Sequence, residues 1–260
     1  VTERQRARRR IAGAALLLSA VGWTILLAAP YTSPGLSFCW GGGAAGSWPS
    51  LRALLAVHPP ASLAVNWVLM LIAMMVPTLV APLLHVHQRS FRHRRGRSIV
   101  LFAIGYGAAW ILAGVVLTSV HLMLSVSAPQ SLWPAAAAAL LALLWQCSPA
   151  KQLCLNRSHN HSELAAFGLA ADRAALGFGL THGLWCIGSC WALMLVPMLL
   201  VHGHTLAMAA VTVLMIAERL EGPRPLRWQL RGLGKLSRMI ATQARPVRSR
   251  LPQAGMAKAG

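Results

Sequence analysis

Six stretches of about 20 apolar residues, near 11–30, 63–84, 98–124, 132–150, 176–200 and 204–220, constrain this chain more than any other feature. A bilayer core of roughly 30 Å is crossed by about 20 helical residues at 1.5 Å rise. None of the runs alternates in the manner of a barrel strand, and a helix satisfies its own backbone groups in lipid. Composition agrees: 56% of the 260 residues are hydrophobic and 11% charged, against roughly a quarter charged in soluble domains. The expected fold is all-α, a polytopic helical membrane protein with about six transmembrane helices. The fourth run leans on the alanines from Ala135 to Ala139, and the sixth is the shortest at 17 residues.

Net charge of +19 would by itself suit a nucleic acid or an anionic membrane. Its placement decides between them. Of 24 lysines and arginines, 23 lie before residue 11, in 85–97, in 151–175 or from Arg219 onward, and only Arg52 lies in 31–62. Under the positive-inside rule the first group is cytoplasmic, so both termini are inside and 31–62 is the main external loop. No nucleic-acid-binding motif accompanies the basic residues, so no nucleic-acid partner is expected. The partner implied is a lipid bilayer with an anionic inner leaflet, which in a bacterium is the inner (cytoplasmic) membrane.

Three regions follow: a basic cytoplasmic N-terminal tail at 1–10, a six-helix membrane domain at 11–220, and a basic cytoplasmic tail at 221–260. Leu226, Leu230, Leu233 and Ile240 recur among Arg227, Arg231, Lys235 and Arg238, as an amphipathic helix on the inner leaflet would require. A solvated basic tail is the alternative, and beyond Arg245 the composition is that of a disordered segment. Arg4 to Arg10 and the apolar run that follows also have the shape of a signal peptide. An uncleaved span is the preferred reading, because the run reaches 20 residues and no clear A-x-A site precedes a polar start.

Five cysteines, Cys39, Cys147, Cys154, Cys186 and Cys190, do not suggest a disulfide framework in such a chain. Their positions carry more information. His182, Cys186, Cys190 and Met194 recur every four residues in the fifth run, along one gently rotating stripe of a helix. At 1.5 Å per residue His182 and Cys190 stand roughly 12 Å apart along the axis, too far to share an ion, whereas Cys186 and Cys190 are about 6 Å apart. In the second run Met70 and Met74 are one turn apart and Met75 adjoins them, with Pro77 placed to open the helix nearby. Ordinary apolar packing by methionine and cysteine explains each residue singly. An ionisable histidine within a span argues for more than packing. Cys147 and Cys154 flank Pro149, and His159 and His161 follow, giving a looser second cluster; Lys151 reads as a snorkelling stop signal.

Carboxylates are almost absent from the runs, which disfavours hard ions and proton relays. Cys, Met and His form a soft donor set that suits Cu(I) first and Zn(II) second. No phosphate-binding loop is present, so ATP-driven pumping by this chain alone is not expected.

Four ordered strings carry a family resemblance over about 63–220. They are Trp67-x-x-Met70-x-x-Ala73-Met74-Met75-x-Pro77, Gly105-Tyr106 with Trp110, Gln146-x-x-Pro149-x-Lys151-x-x-Cys154-Leu155, and His182-Gly183-x-x-Cys186-x-Gly188-x-Cys190-Trp191-x-Leu193-Met194. With these the chain resembles the bacterial family of predicted metal-binding integral membrane proteins, a domain of unknown function. The resemblance implies metal binding. The family usually has a second cysteine before the tryptophan and another four residues after Cys154, where this chain has Ser189 and Ser158, so it carries fewer thiols at both places.

The expected function is binding of a soft transition metal, copper foremost, by Cys186, Cys190, His182, Met194, Met70, Met74, Met75 and Cys154 on facing helices, for metal transport or handling. In this reading the second and fifth spans pack together, with Gly183 and Gly188 allowing close approach. The rivals are an intramembrane copper- or thiol-dependent enzyme and a non-catalytic membrane scaffold for an unknown protein partner. No paired carboxylates and no nucleophile-and-base set mark an enzyme.

Overall fold

A computed structural model describes residues 3–32, 52, 55–56, 59–127, 132–160, 162–200 and 203–229. Among these the regular structure is entirely helical: α1 (Glu3–Thr32), α2 (Pro60–Met75), a 3-10 turn (Val76–Leu79), α3 (Val80–Arg89), α4 (Arg95–Ser127), α5 (Trp133–Cys147), α6 (Pro149–His159), α7 (Gly168–Leu199) and α8 (His204–Leu220). The proline positions explain several boundaries. Pro60, Pro134 and Pro149 each sit in a first turn, where the missing N–H is no loss. Ser148 caps α6, its hydroxyl accepting from the Lys151 N–H at 3.1 Å. Pro77 tightens the chain into the 3-10 turn directly after Met74 and Met75, so the second apolar run is a broken rod.

Four helical segments are long and apolar enough to cross a membrane: α1, the α2–α3 rod, α4 and α7. The fourth and sixth expected spans are the helices α5, of 15 residues, and α8, of 17. One helix was not foreseen: α6 forms where a loop was expected, because Pro149 ends one helix and starts another. Arg4 to Arg10 form the first turns of α1. Most of the 31–62 loop, including Cys39, lies outside the described residues, as do His161 and the tail from Leu230. The described start of that tail, 222–229, is irregular. There the Gln229 N–H donates to the Cys147 carbonyl at 3.2 Å, and Asn156 binds the backbone of Arg224.

α7 is the hub, packed most extensively on α4 and then on α5, α6 and α8. Glycine makes the α4·α7 seam possible. A Cβ on Gly105 would strike the Leu176 carbonyl, and one on Gly179 the Phe102 carbonyl, so the backbones touch where side chains would hold them apart. Gly183 admits Ala109 in the same seam. α2 packs instead on α1, where the Ser19 hydroxyl donates to the Ala73 carbonyl at 2.6 Å. The expected pairing of the second and fifth spans is therefore replaced by α4 against α7, with α2 joined to α4 through the Trp67 indole, which donates to the Trp110 carbonyl at 3.0 Å.

The outward faces are apolar, and several polar and charged side chains are buried between the helices. Leu16, Leu17, Val115, Val116, Leu143 and Leu144 are more than half exposed, while Lys151, Glu218, Gln146 and His182 are buried. This inverts the usual arrangement of a water-soluble protein. The basic residues also gather in space: Arg4 and Arg8 share a cavity wall with His85 and Gln88, and Arg94 and Arg97 both pair with Asp172 at 2.7 and 2.6 Å.

Candidate metal centre

The stripe on α7 is buried as its spacing requires: His182 is 4% exposed, Cys186 and Cys190 2% each, and Met194 fully buried. Cys186 and Cys190 are free, buried thiols one helical turn apart. The Cys190 thiol donates to the Cys186 carbonyl at 3.0 Å, which draws it back along the helix toward its partner. From α4, the Tyr106 hydroxyl lies 3.4 Å from the Cys186 sulfur. From the end of α8, Arg219 brings its positive charge within electrostatic range of Cys186, Cys190 and Tyr106.

Beside the thiols lies a buried ion pair. Lys151, with no exposed surface, places its ammonium 2.8 Å from the Glu218 carboxylate and donates to the Gln146 side-chain oxygen at 2.5 Å. The Gln146 amide donates in turn to Glu218. Lys151 thus does not snorkel as expected; it is held inward by a carboxylate that satisfies it, the condition for burying an ammonium. It also acts electrostatically on Cys190. Lys151 and Glu218 offset each other, and Arg224 pairs with Glu221 at 3.3 Å. Arg219 faces the thiols.

His182, one turn before Cys186, stands in an aromatic surround that includes Tyr106. Its ring lies 6.1 Å from that of Tyr106, and Phe102 and Phe178 complete the surround. On its other side His182 lines a cavity of ≈ 450 Å³ with Arg157, Asn160, Ser162 and Trp185. Arg157 stacks over the Trp185 ring at 5.6 Å. The cavity brings the arginine-rich end of the bundle within one helical turn of Cys186.

Met70, Met74, Met75 and Met194 are all buried in the extended core that also holds both thiols. Met70 in addition lines a cavity at the end of the bundle away from the arginines, with His121, Met198 and His204.

Cys154 is separated from the thiol pair by α7 itself. It lies against Gly188, where an added Cβ would come within 2.7 Å of its sulfur, and Gly188 sits on the far side of the helix from Cys186. Burial pushes the Cys154 thiol above its ordinary pKa. His159 is committed to backbone: one ring nitrogen lies 2.8 Å from the Leu155 carbonyl and the other 3.3 Å from that of Arg219. Among the described residues no group of three His, Cys, Asp or Glu side chains gathers, and His161, the fourth member of the looser cluster with Cys147, Cys154 and His159, lies outside them. Ser189 and Ser158 donate to the Cys186 and Leu155 carbonyls, each at 2.7 Å.

Three residues of this centre were not singled out from sequence. Arg219 enters the sequence argument only as a topology charge, Tyr106 only as part of a string, and Glu218 not at all. The signal was available: an Arg and Glu pair closing an apolar run needs partners inside it.

The chemistry of the centre suits a soft monovalent ion. Two thiols on consecutive turns form a soft donor pair that can be deprotonated, with the positive charge of Arg219 in the same interior. No curated protein and no solved structure matches the chain. A family model described as PpoB2, copper chaperone, matches residues 64–240, a stretch that contains all four sequence strings, the thiol pair and Arg219. Because that match spans well over half of the 260 residues, the chain belongs to the PpoB2 copper chaperone family.

Proposed function

We propose that this chain is a multi-pass protein of the bacterial cytoplasmic membrane that takes Cu(I) on Cys186 and Cys190 and holds it for handover. The observation that carries the reading is the pair of buried free thiols on successive turns of α7, faced by Arg219 and Tyr106. Binding converts two thiols and one Cu(I) into a bis-thiolate complex and releases two protons. Arg219 stabilises the charge so formed, Tyr106 offers its hydroxyl to the Cys186 sulfur, and the Lys151–Glu218 pair holds α6 and α8 against the site. Met74, Met75 and Met194, in the same core, supply thioethers through which the ion exchanges ligands. Zn(II) is the weaker candidate, since a structural zinc site takes four strong donors and the described residues gather no third His, Cys or carboxylate at the thiols.

Membrane embedding is supported by the apolar outward faces and by the charge split. The arginine-rich end is then cytoplasmic, with both termini inside. Reporter fusions after residues 92, 165 and 250 give cytoplasmic signals and those after 45 and 128 external ones; an external signal at 92 or 165 overturns the topology. Elemental analysis of the purified protein and of the Cys186→Ser, Cys190→Ser double variant tests the site. The variant carries about one copper fewer per chain, and equal content in both leaves the stripe as packing alone.

A further inference from the structure

At the end of the bundle away from the arginines, four elements each contribute one donor to one narrow cavity. Met70 comes from α2, His121 from α4, Met198 from the last turn of α7 and His204 from the first residue of α8. The free space is ≈ 20 Å³, little more than the ~10–15 Å³ that one water-sized sphere occupies. That is room for a single ion or water. The donors are shielded, with Met70 2%, His121 7% and His204 4% exposed.

The chain fixes one of these donors in ligand form. α7 ends at Leu199, so the Pro197 carbonyl is among the last four that lack an intrahelical partner. Gly203, in the left-handed region at φ 75°, turns the chain so that His204 comes back over it. The His204 Nδ1–H donates to that carbonyl at 2.5 Å. Nε2 then carries the lone pair, the form in which imidazole binds a metal, and a carbonyl on the other ring nitrogen is the usual device that orients such a ligand.

Two imidazoles and two thioethers are neutral, soft-to-borderline donors, and no carboxylate stands among them. That set suits Cu(I) and disfavours Mg²⁺ and Ca²⁺, which take oxygen. We propose that Met70, His121, Met198 and His204 form a second Cu(I) site, built from neutral donors, at the end of the bundle opposite the basic residues. It rests on the copper reading above and adds a station at the C-terminal end of α7, beyond the thiol pair in its middle. The two stations differ in charge: the thiol pair becomes anionic on loading, whereas this site keeps the ion's single positive charge.

The test uses the full chain in detergent, titrated with Cu(I) under reducing conditions against a chromophoric chelator. Wild type minus the Cys186→Ser, Cys190→Ser variant reports the thiol pair. That variant minus the same chain carrying Met70→Leu and Met198→Leu reports the second site, so the two readings fail separately. Both leucine substitutions conserve volume and keep the fold. The cysteine-free-site variant retains about one Cu(I), and the added leucines weaken it at least tenfold, as does His204→Gln. Retention of no Cu(I) by the Cys186→Ser, Cys190→Ser variant, or of one that the leucines leave unchanged, overturns the second site.

Discussion

The middle of α7 and its last turn present soft donors under opposite electrostatic conditions. Toward the basic end, Cys186 and Cys190 are surrounded by Tyr106, Arg219 and the Lys151–Glu218 pair, a polar interior where a positive charge faces the sulfurs. At the other end Met70, His121, Met198 and His204 meet in a cavity walled by apolar side chains and one carbonyl-oriented ring. A thiolate site needs a counter-charge because it becomes anionic when filled. A site of neutral donors needs only shape and a fixed tautomer. The pairing teaches that the buried charges of this bundle accompany thiols and are not spread through it.

That contrast can be broken most severely at Lys151. Replacing one partner of a buried ion pair leaves an uncompensated charge and costs about 3–5 kcal/mol. Lys151→Met is expected to destabilise the protein by that amount in thermal or denaturant unfolding, and Lys151→Met with Glu218→Leu to recover most of it. A double variant no better than the single one would mean that Lys151 does more than neutralise Glu218. A smaller effect sharpens the comparison. Arg219→Gln removes the charge facing the sulfurs and is expected to weaken Cu(I) at the thiol pair by about 10–100-fold, the usual range for outer partners of a metal site. Affinity at the Met70 and His204 end should not move; equal weakening at both sites would show that Arg219 acts on the fold.

The smallest effect concerns the thiol outside both sites. Burial holds Cys154 above its ordinary pKa, so its nucleophilic thiolate is scarce at neutral pH and accumulates only as pH rises past the ordinary cysteine value. Alkylation of Cys154 is expected to be slow at pH 7.5 and to accelerate steadily above pH 9. Fast labelling at neutral pH would place the thiol in a different environment from that against Gly188.

The stripe of His182, Cys186, Cys190 and Met194 was legible because a four-residue recurrence is geometry: any helix through it places these side chains together. Which helix would face them was not legible. Apolar surfaces offer many equivalent pairings, and the methionines of α2 suggested a partner that packing assigns to α4. The deciding signal was steric, since Gly179-x-x-x-Gly183 opposite Gly105 permits backbone contact that α2 does not offer. His121, Met198 and His204 were missed for another reason. They stand on separate elements with no shared spacing, so only the fold reveals that they meet Met70. Arg219 shows the limit of the charge argument, which counted it for topology and said nothing of its direction.

The central claim is that Cys186 and Cys190 together ligate Cu(I). X-ray absorption at the copper edge, on the Met70→Leu, Met198→Leu protein loaded with one equivalent of Cu(I), tests it with the other site removed. The account predicts a first shell dominated by short copper–thiolate scattering that disappears when Cys186 and Cys190 are both serine. A first shell of nitrogen or oxygen alone, or a spectrum unchanged by the two serines, would contradict it.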